Sequence, residues 1–318
     1  MNSIRKLFII LTLILVVSCA TSLEMPEYKS ALDAYGSGKY QTTITFINQA
    51  IENNPEESEY YVLRAKANYK IGNKSSAMED LNHSLNIADN YSAYHLRGKL
   101  FLEQSQLEKA GMDLRKAYSI NPQSGDILFD LGYLEFLNGD TQQALNYYSS
   151  AAKYDSRNAK VYVNIGNLYS MLGNSKTAID FYSKALVIDT TDGVAFYNRA
   201  NEKMMMNDIK GAIEDYSFSL MIDSMNTNTL FMLAEANNKI GDINSSLVQY
   251  NSIIKIDSSA AKAYYLRGIV EVTKEEFAKA CNDFKKAGEL GYFDAYEMSK
   301  KYCDKKVLQK EKKKKTKK

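Results

Sequence analysis

The chain has 318 residues, 45% of them hydrophobic and 25% charged, with a formal net charge of +2. That composition excludes an intrinsically disordered chain and provides apolar material for a large folded body. The near-neutral total hides an asymmetry, because residues 305–318 carry nine lysines against one glutamate, so an acidic body precedes a basic tail.

The first residues, Met1 to Lys6, include two cations, Arg5 and Lys6, and an apolar run from Leu7 to Val17 follows, then Ser18 and Cys19. This is the layout of a secretory signal. The run is eleven residues long, whereas a bilayer span needs roughly 20, which favours removal over a retained transmembrane helix. The segment Val16-Val17-Ser18-Cys19 resembles the bacterial lipobox. That resemblance implies a lipoprotein signal peptide over 1–18, lipidation of Cys19 (diacylglyceryl and palmitate chains), and an anchor with a short linker over 19–23. Several acyl chains on one residue hold a protein on a membrane surface without crossing it. The alternative is an ordinary signal peptide followed by a free or disulfide-bonded cysteine. Ala20-Thr21-Ser22-Leu23 lacks the acidic run associated with surface display in Bacteroidota-type lipoproteins. The expected location is therefore the bacterial envelope, on the outer membrane facing the periplasm.

Beyond the linker the chain repeats. Small residues recur at Ala31, Ala65, Gly98, Gly132, Gly166, Ala200, Ala234 and Gly268, in steps of 34 with a single 33. A second small series, Thr43, Ala77, Ala110, Ala144, Ala178, Ala212, Ser246 and Ala280, keeps the same step. So do the bulky series Tyr61, Tyr94, Leu128, Tyr162, Phe196, Leu230, Tyr264 and Leu81, Leu114, Tyr148, Tyr182, Tyr216, Tyr250, Phe284. Each unit holds two apolar-periodic stretches of helical length. Between them lies a short polar break, often with glycine (Gly38, Gly72, Gly139, Gly173, Gly241), which ends a helix in the left-handed conformation. The small residues mark where two antiparallel helices cross closely, and such a hairpin buries its face only by stacking on neighbours.

This pattern resembles the tetratricopeptide repeat, and the run Ala280-Cys281-Asn282-Asp283-Phe284-Lys285-Lys286-Ala287, with Leu290-Gly291 and Lys301-Tyr302-Cys303, resembles the closing segment of Bacteroidota repeat lipoproteins. The resemblance implies an all-α fold: a right-handed α-solenoid of about eight helical hairpins over residues 24–290. The units fall at about 24–57, 58–90, 91–124, 125–158, 159–192, 193–226, 227–260 and 261–290. The family's terminal proline is present only as Pro55 and Pro122. Other units end in Asp155-Ser156, Asp189-Thr190, Asp223-Ser224 and Asp257-Ser258, whose side chains terminate or cap helices instead. The first unit departs furthest, with Glu27 in the aromatic place and Thr43 in the second small place.

Four units carry an arginine just before the small residue, Arg64, Arg97, Arg199 and Arg267. The same four carry an aspartate sixteen residues later, Asp80, Asp113, Asp215 and Asp283. Other units put Leu131 with Tyr147, Ile165 with Phe181, and Leu233 with Gln249 there. Residues sixteen apart around a turn lie level on antiparallel helices, so structural ion pairs are expected rather than an array of anion-binding arginines.

At the carboxyl end, Gly288-Glu289-Leu290-Gly291 precedes a helical stretch from Tyr292 to Cys303, a capping helix within 291–304 of the kind a solenoid needs. Cys281 and Cys303 lie on helices expected to be antiparallel and form a disulfide candidate in an oxidising compartment. Two reduced structural thiols are the alternative. The Lys-rich tail, 305–318, is expected to be disordered. It is either a solvated tail or a site for an anionic polymer such as lipopolysaccharide. No aromatic interleaves the lysines, which leaves base stacking and nucleic-acid binding without support.

Two histidines, His83 and His95, and no HExxH, Walker loop or GxSxG leave no catalytic, metal or cofactor site to assign. In the tetratricopeptide repeat the first helices line the binding wall. The corresponding places hold the groove candidates Tyr133, Asn167, Tyr197, Asn201, Met205, Phe231, Glu235 and Asn238, with about half expected to pack internally. Aromatics provide contact area, asparagines grip an extended backbone and methionines adapt. Places that form a carboxylate clamp in some members hold Val163, Asn167, Asn198, Asn228 and Met232, so both asparagines are present and the cations are missing. The expected function is a non-enzymatic, lipid-anchored scaffold that binds an unidentified envelope protein or peptide, in outer-membrane assembly or transport. The runner-up is an envelope tether acting through the lysine tail.

Overall fold

The structure, a computed structural model, describes residues 25–303. Cys19, its signal and the lysine tail lie outside the described residues. Among the described residues there are seventeen helices and no strand, and the chain divides after Ser156 into two compact units.

The first unit stacks four hairpins: α1 (Pro26–Gly36) with α2 (Tyr40–Asn53), α3 (Ser58–Lys70) with α4 (Lys74–Ile87), α5 (Tyr91–Glu103) with α6 (Leu107–Ile120), and α7 (Gly125–Leu137) with α8 (Thr141–Tyr154). The second stacks α9 (Ala159–Met171) with α10 (Ser175–Ile188), α11 (Gly193–Met205) with α12 (Ile209–Ile222), α13 (Thr227–Lys239) with α14 (Ile243–Ile256), and α15 (Ala261–Thr273) with α16 (Phe277–Glu289). The short helix α17 (Asp294–Tyr302) closes it.

Each hairpin bends the same way. In the turn after α9, the Gly173 N–H donates to Ser170 O at 2.9 Å and the Asn174 N–H to Tyr169 O at 2.8 Å, the paired bonds of a Schellman ending. Gly173 has φ +73°, the left-handed region. Hairpins without glycine there use Ser105, Asn207 and Glu275, also at positive φ. The next residue then caps the second helix: the Asp140, Asn174, Asp208 and Asp242 side chains each accept a backbone N–H of the first turn. Between hairpins, Asp189 accepts from the Thr191 N–H and hydroxyl and Asp257 from the same groups of Ser259. Thr190 and Ser224 stand exposed in these turns.

The two small series sit where helices cross. A Cβ on Gly166 would lie 2.6 Å from the Tyr182 ring, one on Gly132 2.7 Å from Tyr148, and one on Gly268 2.7 Å from Phe284. Interiors are packed too densely to yield that space freely.

The first hairpin keeps the crossing register but places its buried aromatic one residue further on. Tyr28, one residue beyond Glu27, is buried and packs on Tyr60 with ring centroids 4.9 Å apart. Thr43 is fully buried at the crossing, where its hydroxyl donates to Lys39 O, so a small polar residue fits without an orphaned group. The capping helix is shorter than the expected Tyr292–Cys303. The Tyr292 N–H closes the turn on Ala287 O, which delays the helix to Asp294.

The arginine–aspartate couples are bidentate. Arg97 donates to Asp113 at 2.7 and 2.9 Å, Arg199 to Asp215 at 2.8 and 2.7 Å, and Arg267 to Asp283 at 2.7 and 2.7 Å. Arg64 reaches Asp80 at 2.6 Å. Each guanidinium makes two further contacts. Its remaining nitrogen donates to the preceding hairpin, at Asn48, Asn82, Ser183 and Asn251, and its face covers the aromatic three residues earlier, Tyr61, Tyr94, Phe196 and Tyr264. The arginine is thus a staple between hairpins as well as within one. In the fourth hairpin, where Leu131 replaces the arginine, Arg115 of the preceding hairpin donates to Glu135 at 3.0 Å.

Cys281 and Cys303 are bonded to each other and fasten α17 across α16. The packing beneath it joins Phe284, Ala287 and Ala295 with Tyr265, Tyr292 and Tyr302.

Two stability outcomes follow. Arg97→Met should cost about 3 kcal/mol, because the buried Asp113 carboxylate loses its partner, while Arg97→Met/Asp113→Leu should recover most of that loss in denaturant titrations. Reducing the disulfide, which spans 22 residues, should remove about 3 kcal/mol and open α17 to limited proteolysis. Cys281→Ser should behave like the reduced protein and be insensitive to reductant.

Candidate functional site

The first helix of each hairpin places the residue just after the small residue on the same side of its unit. In the second unit these are Asn167 on α9, Asn201 on α11 and Glu235 on α13. Fifteen residues beyond them stand Tyr182, Tyr216 and Tyr250, whose rings are buried. The Tyr182 hydroxyl donates to Asn167 Oδ1 at 2.8 Å and the Tyr216 hydroxyl to Asn201 Oδ1 at 2.6 Å. Burial pushes both phenols above their usual range, which keeps them protonated donors. Asn198 Nδ2 donates to the same Asn167 oxygen at 3.1 Å.

The asparagines expected to grip an extended backbone thus have their oxygens engaged within the hairpins. Buried tyrosines need an acceptor, and the asparagine oxygens supply it. What an amide so held presents to a ligand is its NH2 group, a donor for backbone carbonyls. Asn167, Asn198 and Asn201 line one cavity of about 280 Å³ with Ser170, Met171, Tyr182 and Glu202. Glu202 is buried and accepts from the Ser170 hydroxyl at 2.5 Å. Met171, in that lining, is 65% exposed, and Met205, one turn beyond Asn201 on α11, is 75% exposed.

The remaining groove candidates separate. Tyr197 packs its ring 5.9 Å from Tyr216 and lines a neighbouring cavity of about 220 Å³ with Val194, Asn226 and Asn228. Met205, Phe231, Glu235 and Asn238 line neither cavity. Phe231 packs on Tyr250 and beneath Lys262, and Glu235 stands exposed beside Lys239 at 3.5 Å. Tyr133 belongs to the first unit and stacks on Phe136. Sequence reasoning missed Met171, Ser170 and Glu202 as lining residues. It also missed the fifteen-residue step that couples asparagine to tyrosine, although that step is legible: where the tyrosine is replaced by Leu81 or Leu114, the asparagine becomes Lys66 or Lys99.

His95 Nε2 lies 2.7 Å from Asp130 Oδ2 and His83 packs on the Tyr61 ring, so each histidine is engaged. Among the described residues no group of three or more metal-ligating side chains converges, and no helix is long and apolar enough to cross a membrane.

One buried acid stands apart from the groove. Where the second and sixth hairpins put donors toward the paired aspartate (Asn68 to Asp80, Lys203 to Asp215), the last puts Glu271 near Asp283. Glu271 is 7% exposed and its Oε2 has no hydrogen-bond partner. Burial, reinforced by Asp283 and opposed by Arg267 and Lys279, pushes its carboxyl up to about 7 from an ordinary 4.5. The raised value means the folded state prefers the protonated form. Its contribution is fully present below about pH 4.5 and is lost as pH rises through about 7. Glu271→Gln, which can donate to Asp283 at any pH, should therefore stabilise the protein by about 1–3 kcal/mol at pH 8 and little at pH 4, read from melting curves across that window.

The tetratricopeptide repeat family model matches residues 159–192 and 91–124. Tetratricopeptide repeat protein 6 of Homo sapiens is 28% identical over 144 residues, 44% of this chain, and the chain spans 28% of that protein's length. Among solved structures, YrrB, described as a TPR protein with an unusual peptide-binding site, superposes with a TM-score of 0.54 at 23% identity, over 59% of this chain and 97% of that one. A tetratricopeptide repeat protein from Parabacteroides merdae gives 0.52 at 20% identity, over 78% and 99%. At these identities the likeness is one of fold. Two of its hairpins match the tetratricopeptide repeat directly, six more are built on the same crossing, turn and step, and the fold is that of tetratricopeptide-repeat proteins.

Proposed function

We propose that this protein is a non-catalytic scaffold, held by lipid at Cys19 on the bacterial outer membrane and facing the periplasm. It takes an extended segment of an envelope client on the first helices of its second unit, in outer-membrane assembly or transport. Proteins built of this repeat generally serve as protein-interaction scaffolds. The observation that carries the reading is the amide row Asn167, Asn198 and Asn201, gathered in one cavity with the exposed Met171, and with exposed Met205 one turn beyond Asn201 on the same helix. Amide donors satisfy backbone carbonyls without regard to sequence, and flexible thioethers accept varied apolar side chains. The peptide-binding site ascribed to YrrB, a protein of like fold, supports the same use here. The lipobox-like Val16-Val17-Ser18-Cys19 supports the anchor.

The nine lysines of residues 305–318 favour a second reading, an envelope tether in which the tail holds an anionic polymer.

Crosslinking and affinity capture of the lipidated protein from its own envelope separates the two. Met171→Glu/Met205→Glu changes exposed side chains only and should leave the melting temperature unchanged while the client yield falls at least about tenfold. Deletion of Lys310–Lys318 should leave capture intact. If capture instead survives the methionine changes and disappears, in a salt-sensitive manner, with the tail, the tether reading stands. Cys19→Ser should abolish fatty-acid labelling and release the protein from membranes.

A further inference from the structure

The first unit carries a cleft of different chemistry, independent of the amide row. The place just after the small residue, asparagine in α9 and α11, is Lys66 on α3 and Lys99 on α5. Both line a cavity of about 420 Å³, joined by Lys70, His95 and the tyrosines Tyr69 and Tyr91. None of the three lysines has an ion-pair partner among the described residues. Lys66 Nζ is 3.5 Å from the Ser92 hydroxyl, and Lys99 Nζ sits 5.5 Å over the Tyr69 ring.

The nearby acids are already used. Glu103 accepts from the Tyr69 hydroxyl and pairs with Lys74 at 2.7 Å, and Asp130 pairs with His95 at 2.7 Å. Asp126 is the one carboxylate in the lining. A body that is acidic as a whole thus gathers unpaired cations in a single recess, where partial desolvation strengthens their field.

We propose that this cleft is a second binding site and that its occupant is an acidic peptide segment of a partner protein, with carboxylate side chains meeting Lys66 and Lys99. No arginine lines the cleft, so no bidentate fork is offered; lysine is a point charge on a flexible stem, which meets carboxylates presented at variable angle. Tyr69 and Tyr91 supply the flat, amphipathic surface on which an extended peptide lies. Asn121 and Gln123 supply amides for its backbone.

The test uses the full chain and a short fluorescein-labelled peptide alternating glutamate with apolar residues and carrying a benzoylphenylalanine, against the same peptide with glutamine in place of glutamate. Fluorescence anisotropy should show binding of the glutamate peptide only. Lys66→Gln/Lys99→Gln should weaken it at least about tenfold with an unchanged melting temperature, and Lys99→Arg should retain it. Photocrosslinks should map to the first unit. Equal affinity for the double variant, crosslinks confined to residues 305–318, or displacement by inorganic phosphate at concentrations where free glutamate has no effect would each overturn the proposal. Met171→Glu/Met205→Glu should leave this binding untouched, so its failure and that of the client groove are read separately.

Discussion

Within every hairpin two helices approach so closely that one of them must carry a small residue where the other carries a bulky one. Gly166 against Tyr182 and Gly268 against Phe284 leave no room for even a methyl group. Because this contact fixes both the separation and the vertical register of the helices, it also decides what can meet on either side of it. One residue before the small one, the partner lies sixteen residues on, and arginine meets aspartate there. One residue after it, the partner lies fifteen on, and asparagine meets a tyrosine hydroxyl. Three consecutive rungs of polar and apolar contact thus hang from one steric constraint.

The polar rungs bind neighbours as well as partners. A guanidinium that satisfies its own aspartate still has a nitrogen to spare, and it spends that donor on the preceding hairpin at Asn48, Asn82, Ser183 and Asn251. Its flat face meanwhile covers an aromatic ring. Such a residue resists replacement by lysine, which has no fork and no plane. Glu271 is the exception among groups near these pairs: an acid where sister hairpins place donors, it leaves an oxygen unsatisfied beside a second carboxyl. The last hairpin is also the one fastened by Cys281–Cys303.

Recognition chemistry varies on this constant frame at the position just after the crossing. Lysine stands there in Lys66 and Lys99, tyrosine in Tyr133, asparagine in Asn167 and Asn201, glutamate in Glu235. The choice is coupled to the core. In the fifth and sixth hairpins the buried bulky residue is Tyr182 or Tyr216, whose hydroxyl demands an acceptor and takes the asparagine amide into service. Where it is Leu81 or Leu114, no such demand exists and a lysine is free to project into the cleft. Packing inside a hairpin therefore sets which ligand groups its outer face can offer.

The 34-residue step, the hairpins, their left-handed turns and the level pairing of Arg64 with Asp80 and its counterparts were all legible in the amino-acid sequence. These features depend on residues within one hairpin, whose separation along the chain is fixed, so periodicity alone brings them together. The buried aromatic of the first hairpin was not, because Tyr28 lies one residue beyond the expected place, held by Glu27, and only its packing on Tyr60 reveals it. Nor was the fate of the asparagines. A sequence records that Asn167 faces outward, but whether its oxygen serves a ligand or the Tyr182 hydroxyl depends on a ring rotamer set by Gly166. The spare donor of each arginine and the recess holding Lys66 and Lys99 likewise arise between hairpins, where the angle of stacking, invisible to any one-dimensional repeat, decides which side chains converge. Composition and period determine that this chain is a stack of helical hairpins; only the tertiary contacts decide which of its polar groups hold the stack together and which remain available to a partner.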